Sequence, residues 1–249
     1  MLGLAITFAL LATRMAAFVM VSPFPGPMVP TEIRVGFALL LAMAATPLAA
    51  PVHIAVGPQL VVAALGEMCT GAAIAFVFRV GMSTAEILGS TLAHSMGLTF
   101  ASSYDPTQSA TTDALTRIVS NSAMLVAFAI GAHRIVIGAV MASVHVVPVG
   151  GMIDLATYMP GILGWMARTI ECGVGLAVPA MTVSLVVQVA LGLVARAAPS
   201  LQIFSIGLGV SLASGLVVIM SGLRDSLAGI AAHLLDIGSV LGRVIAPAG

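Results

Sequence analysis

Strongly apolar runs recur along the whole chain, and only short polar breaks separate them. Of the 249 residues, 60% are hydrophobic and 7% are charged, with a mean hydropathy of +1.17, whereas soluble domains carry about 25% charged residues. No polar block long enough to form a second, soluble domain interrupts the pattern. The sequence therefore predicts an all-α, polytopic helical membrane protein, organised as a single domain over residues 1–249.

Prolines, glycines and charged residues divide the apolar runs into six or seven predicted helical segments. The first covers residues 2–21 and ends at a proline-rich stretch, because the proline ring and its missing N–H stop a helix. The run at 35–50 contains Pro47 and is short for a membrane span, which needs about 20 apolar residues. Further segments are predicted at 58–78, 87–101, 118–147, 172–195 and 201–223. Several are too short or too interrupted for a plain bundle of spans.

Several kinds of function are excluded by what the sequence lacks. All nine basic residues are arginines, nine acidic residues balance them, and no basic stripe faces nucleic-acid phosphates. Ser214 lacks the preceding glycine of the GxSG pattern in membrane serine proteases, and the five histidines lack metal-ligand spacing. We expect no catalytic, cofactor or metal site, and we expect Cys69 and Cys172 to be buried as small apolar residues.

Three charged residues interrupt apolar runs, namely Glu67, Arg79 and Glu86. Ionisable groups in such positions are costly unless they face protein or water, so we expect all three to be buried in protein. The two carboxylates are the best candidates for a proton or ion pathway, and the alternative is an ion pair with Arg79 or with a partner subunit. Small residues at helical spacing favour packing against other protein. They include Gly215, Gly222 and Gly229.

Residues 102–117, SSYDPTQSATTDALTR, form the longest polar break. Asp105 and Pro106 favour a turn, and the polar residues that follow them are mostly uncharged, which suits a movable loop in a wet lumen. Composition alone favours an ordinary connector outside the membrane. The break separates N-terminal hairpins at 1–101 from C-terminal helices at 118–249.

A resemblance to a known family rests on residues 191–207, LGLVARAAPSLQIFSIG, which are similar to the LGLxNRxAPQLxIFxxG signature of the FliR family of flagellar export-gate proteins. The matching positions include Arg196, Pro199, Leu201, Phe204 and Gly207. Stretches at 23–34, 86–106, 131–133 and 148–151 agree with the same family in the same order. The chain departs from the family pattern at Ala195, Ser200 and Gly209, where the family has Asn, Gln and Pro.

The resemblance implies a non-catalytic pore subunit of the type III protein export gate, through which unfolded flagellar subunits pass. It implies broken, tilted helical hairpins that assemble into a conical gate with FliP-like and FliQ-like subunits. FlhB-like and FlhA-like export proteins are further implied partners, in the bacterial inner membrane at the flagellar basal body. The family's plug, which closes the resting pore, falls here on Tyr104, Asp105, Pro106, Thr107, Gln108, Ser109, Thr111 and Thr112.

Two alternatives stay open. One is a virulence injectisome homologue of the same gate subunit, although the GLTFA stretch with its Asp-Pro pair, and His133, favour the flagellar branch. The other is a small-solute secondary transporter, in which Glu67, Arg79 and Glu86 would bind substrate or coupling ions at a broken helix. Transporters often contain an internal repeat, and the sequence has no convincing one.

Overall fold

All regular structure in the described part of the chain is helical, which confirms the all-α prediction. The computed structural model describes residues 2–26, 29–52, 54, 57–96, 114–151, 155–197 and 203–245. A short 3₁₀ helix, Thr46–Leu48, follows the second α-helix. The α-helices in these ranges are α1 (Leu2–Val21), α2 (Thr31–Ala45), α3 (Pro58–Ser95), α4 (Ala114–Ala129), α5 (Ala132–Val146), α6 (Leu155–Ala197), α7 (Ile203–Leu235) and α8 (Ile237–Ile245).

Several described helices have the length and apolarity of membrane spans. Five candidate spans lie at Gly3–Val21, Thr31–Leu48, Pro58–Ser95, Tyr158–Ala197 and Gly209–Arg243, and there are six if the bent pair α4 and α5 counts as one. The prediction of a polytopic helical membrane protein is confirmed.

Helix boundaries differ from the sequence prediction at several places. Helix α6 begins at Leu155 rather than at 172, and α7 continues to Leu235 rather than ending at 223. Helix α3 continues through Arg79 and Glu86 for 38 residues, because charged side chains leave the backbone hydrogen-bond ladder intact and no proline follows Pro58 within it. The predicted segment 118–147 is instead split into α4 and α5. Gly131 has a φ of +74° at this break, a left-handed conformation that glycine adopts readily.

Contacts divide the chain into two compact units. Unit 1 contains Met1–Gly81, Ile130–Ala167 and Leu234–Gly249. Its core includes Leu11, Met15 and Phe78, and the Trp165 ring, which is 1% exposed. The indole N–H of Trp165 donates a hydrogen bond of 2.9 Å to the Val77 carbonyl, so this polar group is satisfied inside the core.

Unit 2 contains Met82–Ala129 and Arg168–His233. Its core includes Leu88, Leu92 and Met96, and the Thr169 hydroxyl lies 3.0 Å from Nε2 of buried His233. A largely apolar cavity of about 390 Å³ lies among α3, α4, α6 and α7. The expectation of a single domain, with its subdivision at 102–117, stays a prediction.

Candidate functional site

A fully buried ion pair joins Arg14 of α1 to Glu67 of α3 in unit 1. Both side chains have 0% exposure. Arg14 Nε donates to Glu67 Oε2 at 2.5 Å, and Arg14 Nη2 donates to Glu67 Oε1 at 3.1 Å. This two-point geometry is the strong form of a charge-assisted hydrogen bond, because the planar guanidinium matches the carboxylate.

The remaining polar groups of the pair are bonded to α5 and to the turn that follows it. Arg14 Nη1 donates to Ser143 Oγ at 3.1 Å, and Nη2 also donates to the Val147 carbonyl at 3.0 Å. The backbone N–H of Gly150 donates to Glu67 Oε1 at 2.7 Å. The network therefore ties together α1, α3, α5 and the turn, and both Glu67 oxygens accept hydrogen bonds.

Two glycines make this arrangement possible. A Cβ on Gly71 of α3 would lie 2.1 Å from the backbone oxygen of Arg14, so α1 and α3 approach each other backbone to backbone at the ion pair. Gly150 has a φ of +85°, which L side chains rarely adopt, and in this conformation its N–H reaches the Glu67 carboxylate. Gly71 therefore lets the two helices come close enough for the ion pair, and Gly150 supplies one of its hydrogen bonds.

Glu67 is buried, as predicted, but its ion-pair partner in this chain is Arg14 rather than Arg79. Glu67 and Arg79 lie twelve positions apart on one continuous helix, which is about 18 Å along its axis, too far for a salt bridge. Sequence analysis missed the roles of Arg14, Ser143 and Gly150. The only feature of the sequence that indicates such a role is Arg14 itself, because an isolated charge in an apolar run needs a partner.

Arg79 and Glu86 are exposed on the surface of this chain, so the chain alone does not bury them, and their burial against a partner subunit stays a prediction. They lie on α3, whose inward-facing residues include the buried Ile74, Phe78 and Leu88. Other charged side chains on long apolar helices are exposed in the same way. They include Arg168, Glu171, Arg224 and Asp225.

The outer faces of the long helices are strongly apolar. Only 17% of the 18-residue window in Tyr158–Ala197 is buried inside the chain, and 11% of that in Gly209–Arg243. Leu125 and Met220 are 71% and 76% exposed. Such a surface requires lipid or other protein against it.

The predicted pore-plug residues and part of the family motif lie outside the described residues. All eight plug residues, Tyr104 to Thr112 as given above, are in this group, and so are Pro199 and Leu201. Arg196 is exposed in the last turn of α6, and Phe204 lies in the first turn of α7. A Cβ on Gly207 would lie 3.5 Å from Leu191 Cδ1, so α6 and α7 pack together across the motif.

The predictions for the two cysteines and for the spaced glycines are only partly confirmed. Cys69 is exposed and Cys172 is half-buried, so the expectation that both are buried is wrong. Gly215 and Gly229 do lie against side chains of other helices, whereas a Cβ on Gly222 would have no neighbour within 4 Å. Within the described ranges, no three His, Cys, Asp or Glu side chains are grouped as metal ligands.

Comparison with known proteins gives a consistent result over nearly the full length. The family model for bacterial export proteins, family 1, matches residues 5–236. The flagellar biosynthetic protein FliR of Caulobacter vibrioides is 31% identical over 230 residues, which cover 90% of this chain and 89% of the relative. The FliR proteins of Escherichia coli and Bacillus subtilis are 28% and 23% identical, covering 87% and 86% of this chain and 84% of each relative. The chain therefore belongs to family 1 of the bacterial export proteins, the family of the flagellar biosynthetic proteins FliR.

Proposed function

We propose that this chain is a non-catalytic subunit of the flagellar type III export gate in the bacterial inner membrane, where it helps to form and close the protein-conducting channel. The observation that carries the proposal is that this chain alone leaves charged residues exposed on otherwise apolar helices. Isolated charges such as Glu86, Glu171 and Asp225 are exposed on helices that are otherwise apolar. Charge exposed to hydrocarbon is expensive, so these positions need protein or water as neighbours.

Assembly with other helical subunits supplies those neighbours. Partner helices would cover both the apolar faces and the isolated charges of α3, α6 and α7, and a channel lumen would hydrate the rest. FliP-like and FliQ-like subunits are the proposed partners, with FlhB-like and FlhA-like export proteins beside them. The surface is less suited to a transporter that works alone, since the one buried carboxylate in the described ranges, Glu67, is fully bonded to Arg14 and Gly150.

Co-purification tests this assembly directly. We expect that a tag on this chain, co-expressed with the FliP-like and FliQ-like proteins of the same organism, recovers a discrete mixed complex with one copy of this chain. Native mass spectrometry gives the copy numbers. A monomer or homodimer with neither partner attached would contradict the proposal and favour a transporter.

The plug is the second part of the proposal, assigned to Tyr104–Thr112 from the family resemblance. Deleting residues 107–112 is expected to leave the complex assembled but permeable to small ions, because five of the six removed residues are polar and none is charged, which suits a loop in a wet lumen. Ion flux into proteoliposomes that hold equal amounts of wild-type or deleted complex measures the effect. Unchanged conductance in the deleted complex would show that the plug assignment is wrong.

A further inference from the structure

An open apolar groove of about 310 Å³ lies between α1 and α2 in unit 1, and we call it the α1–α2 groove. Its α1 side includes Ala12, Ala16 and Val19, which recur at the spacing of one helix face, and its α2 side includes Ala38. Three of these four residues are alanines, so little side-chain bulk fills the space between the helices. A groove of this kind suits a flexible hydrocarbon chain.

One end of the α1–α2 groove is cationic. Arg34, in the first turn of α2, is the only charged side chain among the described residues that line it, and Met20 lines it near the end of α1. From Met20 the groove continues back to Ala12, eight positions or about 12 Å along α1. Thr13 also lines it, but its hydroxyl donates to the Ala9 carbonyl at 3.0 Å. The groove is therefore apolar apart from its end beside the α1–α2 loop.

The Arg34 side chain is held in place by that loop. Its Nη2 donates to the Gly26 carbonyl, which also accepts a hydrogen bond of 3.1 Å from the Val29 N–H. The loop itself packs on α2, because the Phe24 ring lies edge-on to the Phe37 ring with centroids 6.0 Å apart. A guanidinium fixed in this way loses little conformational entropy when it binds an anion.

The Arg34 guanidinium keeps unused bonding capacity. It has five N–H groups, and the Gly26 carbonyl is the one acceptor that the described residues give it. Its Nε is buried and has none within this part of the chain. Glu32 is exposed two positions earlier, a spacing that does not place two side chains on one helix face. An arginine on an otherwise apolar helix needs an anion or water as its neighbour.

We propose that the α1–α2 groove binds an anionic phospholipid of the surrounding membrane, with its phosphate on Arg34 and part of an acyl chain between the helices. Both helices have the length and apolarity of membrane spans, at Gly3–Val21 and Thr31–Leu48. The loop that joins two spans lies at the membrane surface, where the headgroups are. The binding requires only that α1 and α2 lie in the membrane, so it does not depend on the proposed export gate.

Charge and shape both favour a phospholipid as the occupant. Arginine matches phosphate by directed, charge-assisted hydrogen bonds, and basic pockets between membrane helices bind anionic headgroups. Pro30 gives α2 no side-chain cap, so the partial positive charge of the helix N-terminus adds to the attraction. An acidic side chain of a partner subunit would satisfy Arg34 alone, whereas a phospholipid also fills the apolar groove behind it.

The test measures phosphatidylglycerol binding to the tagged full-length chain, purified in detergent with any subunits that remain bound. Native mass spectrometry counts the lipid-bound and free forms across a titration. We expect Arg34→Leu to weaken binding about tenfold, because charge-assisted hydrogen bonds are lost. Ala16→Leu keeps Arg34 but places a larger side chain in the groove, so it should weaken binding as well. Glycerol phosphate, which lacks acyl chains, should not compete at equal concentration.

Matched controls lie on α5 in the same unit. Arg134→Leu removes an exposed arginine and Ala142→Leu enlarges an exposed alanine, both outside the groove, and both variants should bind phosphatidylglycerol as wild type does. Arg34→Lys keeps the positive charge and should bind more tightly than Arg34→Leu. If Arg34→Leu unfolds at a lower temperature without added lipid, Arg34→Lys and Ala16→Leu decide the question.

Three results would overturn the proposal. Wild-type affinity in both Arg34→Leu and Ala16→Leu would place the lipid elsewhere. Equal binding of glycerol phosphate, unaffected by Ala16→Leu, would indicate an anion site that takes no lipid. Unchanged lipid binding in Arg34→Leu, together with loss of a partner subunit from the purified complex, would identify a partner's acidic side chain as the occupant.

Discussion

Replacing Glu67 by leucine is expected to remove most of this chain from the membrane. The Arg14 guanidinium would stay fully buried without its carboxylate, and breaking a buried ion pair from one side costs about 3–5 kcal/mol. That is a large part of the roughly 5–15 kcal/mol by which proteins are stable. The amount of full-length chain in membranes and the thermal unfolding midpoint of the purified complex both measure the loss.

Two comparisons identify the unpaired charge as the cause. Glu32→Leu removes an exposed carboxylate from the first turn of α2, in the same unit, and should leave the amount of chain near wild type. The double variant Arg14→Leu with Glu67→Leu should be more stable than Glu67→Leu alone, because no unpaired charge remains in the core. Equal losses in the single and double variants would mean that packing, and not charge, explains the effect.

The sequence predicts one member of the buried ion pair, Glu67, but not its partner. Glu67 stands out as a carboxylate in an apolar run, and its burial follows from the cost of exposing charge to hydrocarbon. Its partner does not stand out, since Arg14 lies 53 positions away and the contact depends on how α1 crosses α3. Arg79 was the natural choice from spacing, but α3 is one continuous helix and places Arg79 about 18 Å along its axis from Glu67.

Helix type was predictable here and helix extent was not. Hydropathy alone identifies apolar helices, because only a helix satisfies its own backbone in an apolar setting. Interruptions are harder to interpret: the charged residues of α3 do not end it, whereas a single left-handed glycine, Gly131, separates α4 from α5. Close approaches such as that at Gly71 depend on tertiary packing, which the spacing of glycines along one helix does not encode.

Replacing Gly71 by alanine is expected to destabilise unit 1 strongly although it adds one methyl group. The new Cβ would lie 2.1 Å from the Arg14 oxygen, 3.0 Å from its carbonyl carbon and 3.2 Å from the Phe18 nitrogen. All three are backbone atoms, so no flexible side chain can move aside and α1 must shift as a helix. Overpacking costs about 1–3 kcal/mol, and the shift also pulls Arg14 away from Glu67. We expect a lower unfolding midpoint of the purified complex and less chain in membranes.

Gly138→Ala on α5 is the matched control. Its Cβ would have no neighbour within 4 Å, and alanine favours a helix over glycine by about 1 kcal/mol, so this variant should be neutral or slightly more stable. Because the Gly71 variant acts partly through the ion pair, combining it with Glu67→Leu should lower stability by less than the sum of the two single effects. Full additivity would contradict this coupling, and a wild-type midpoint for Gly71→Ala would show that α1 and α3 do not cross at this distance.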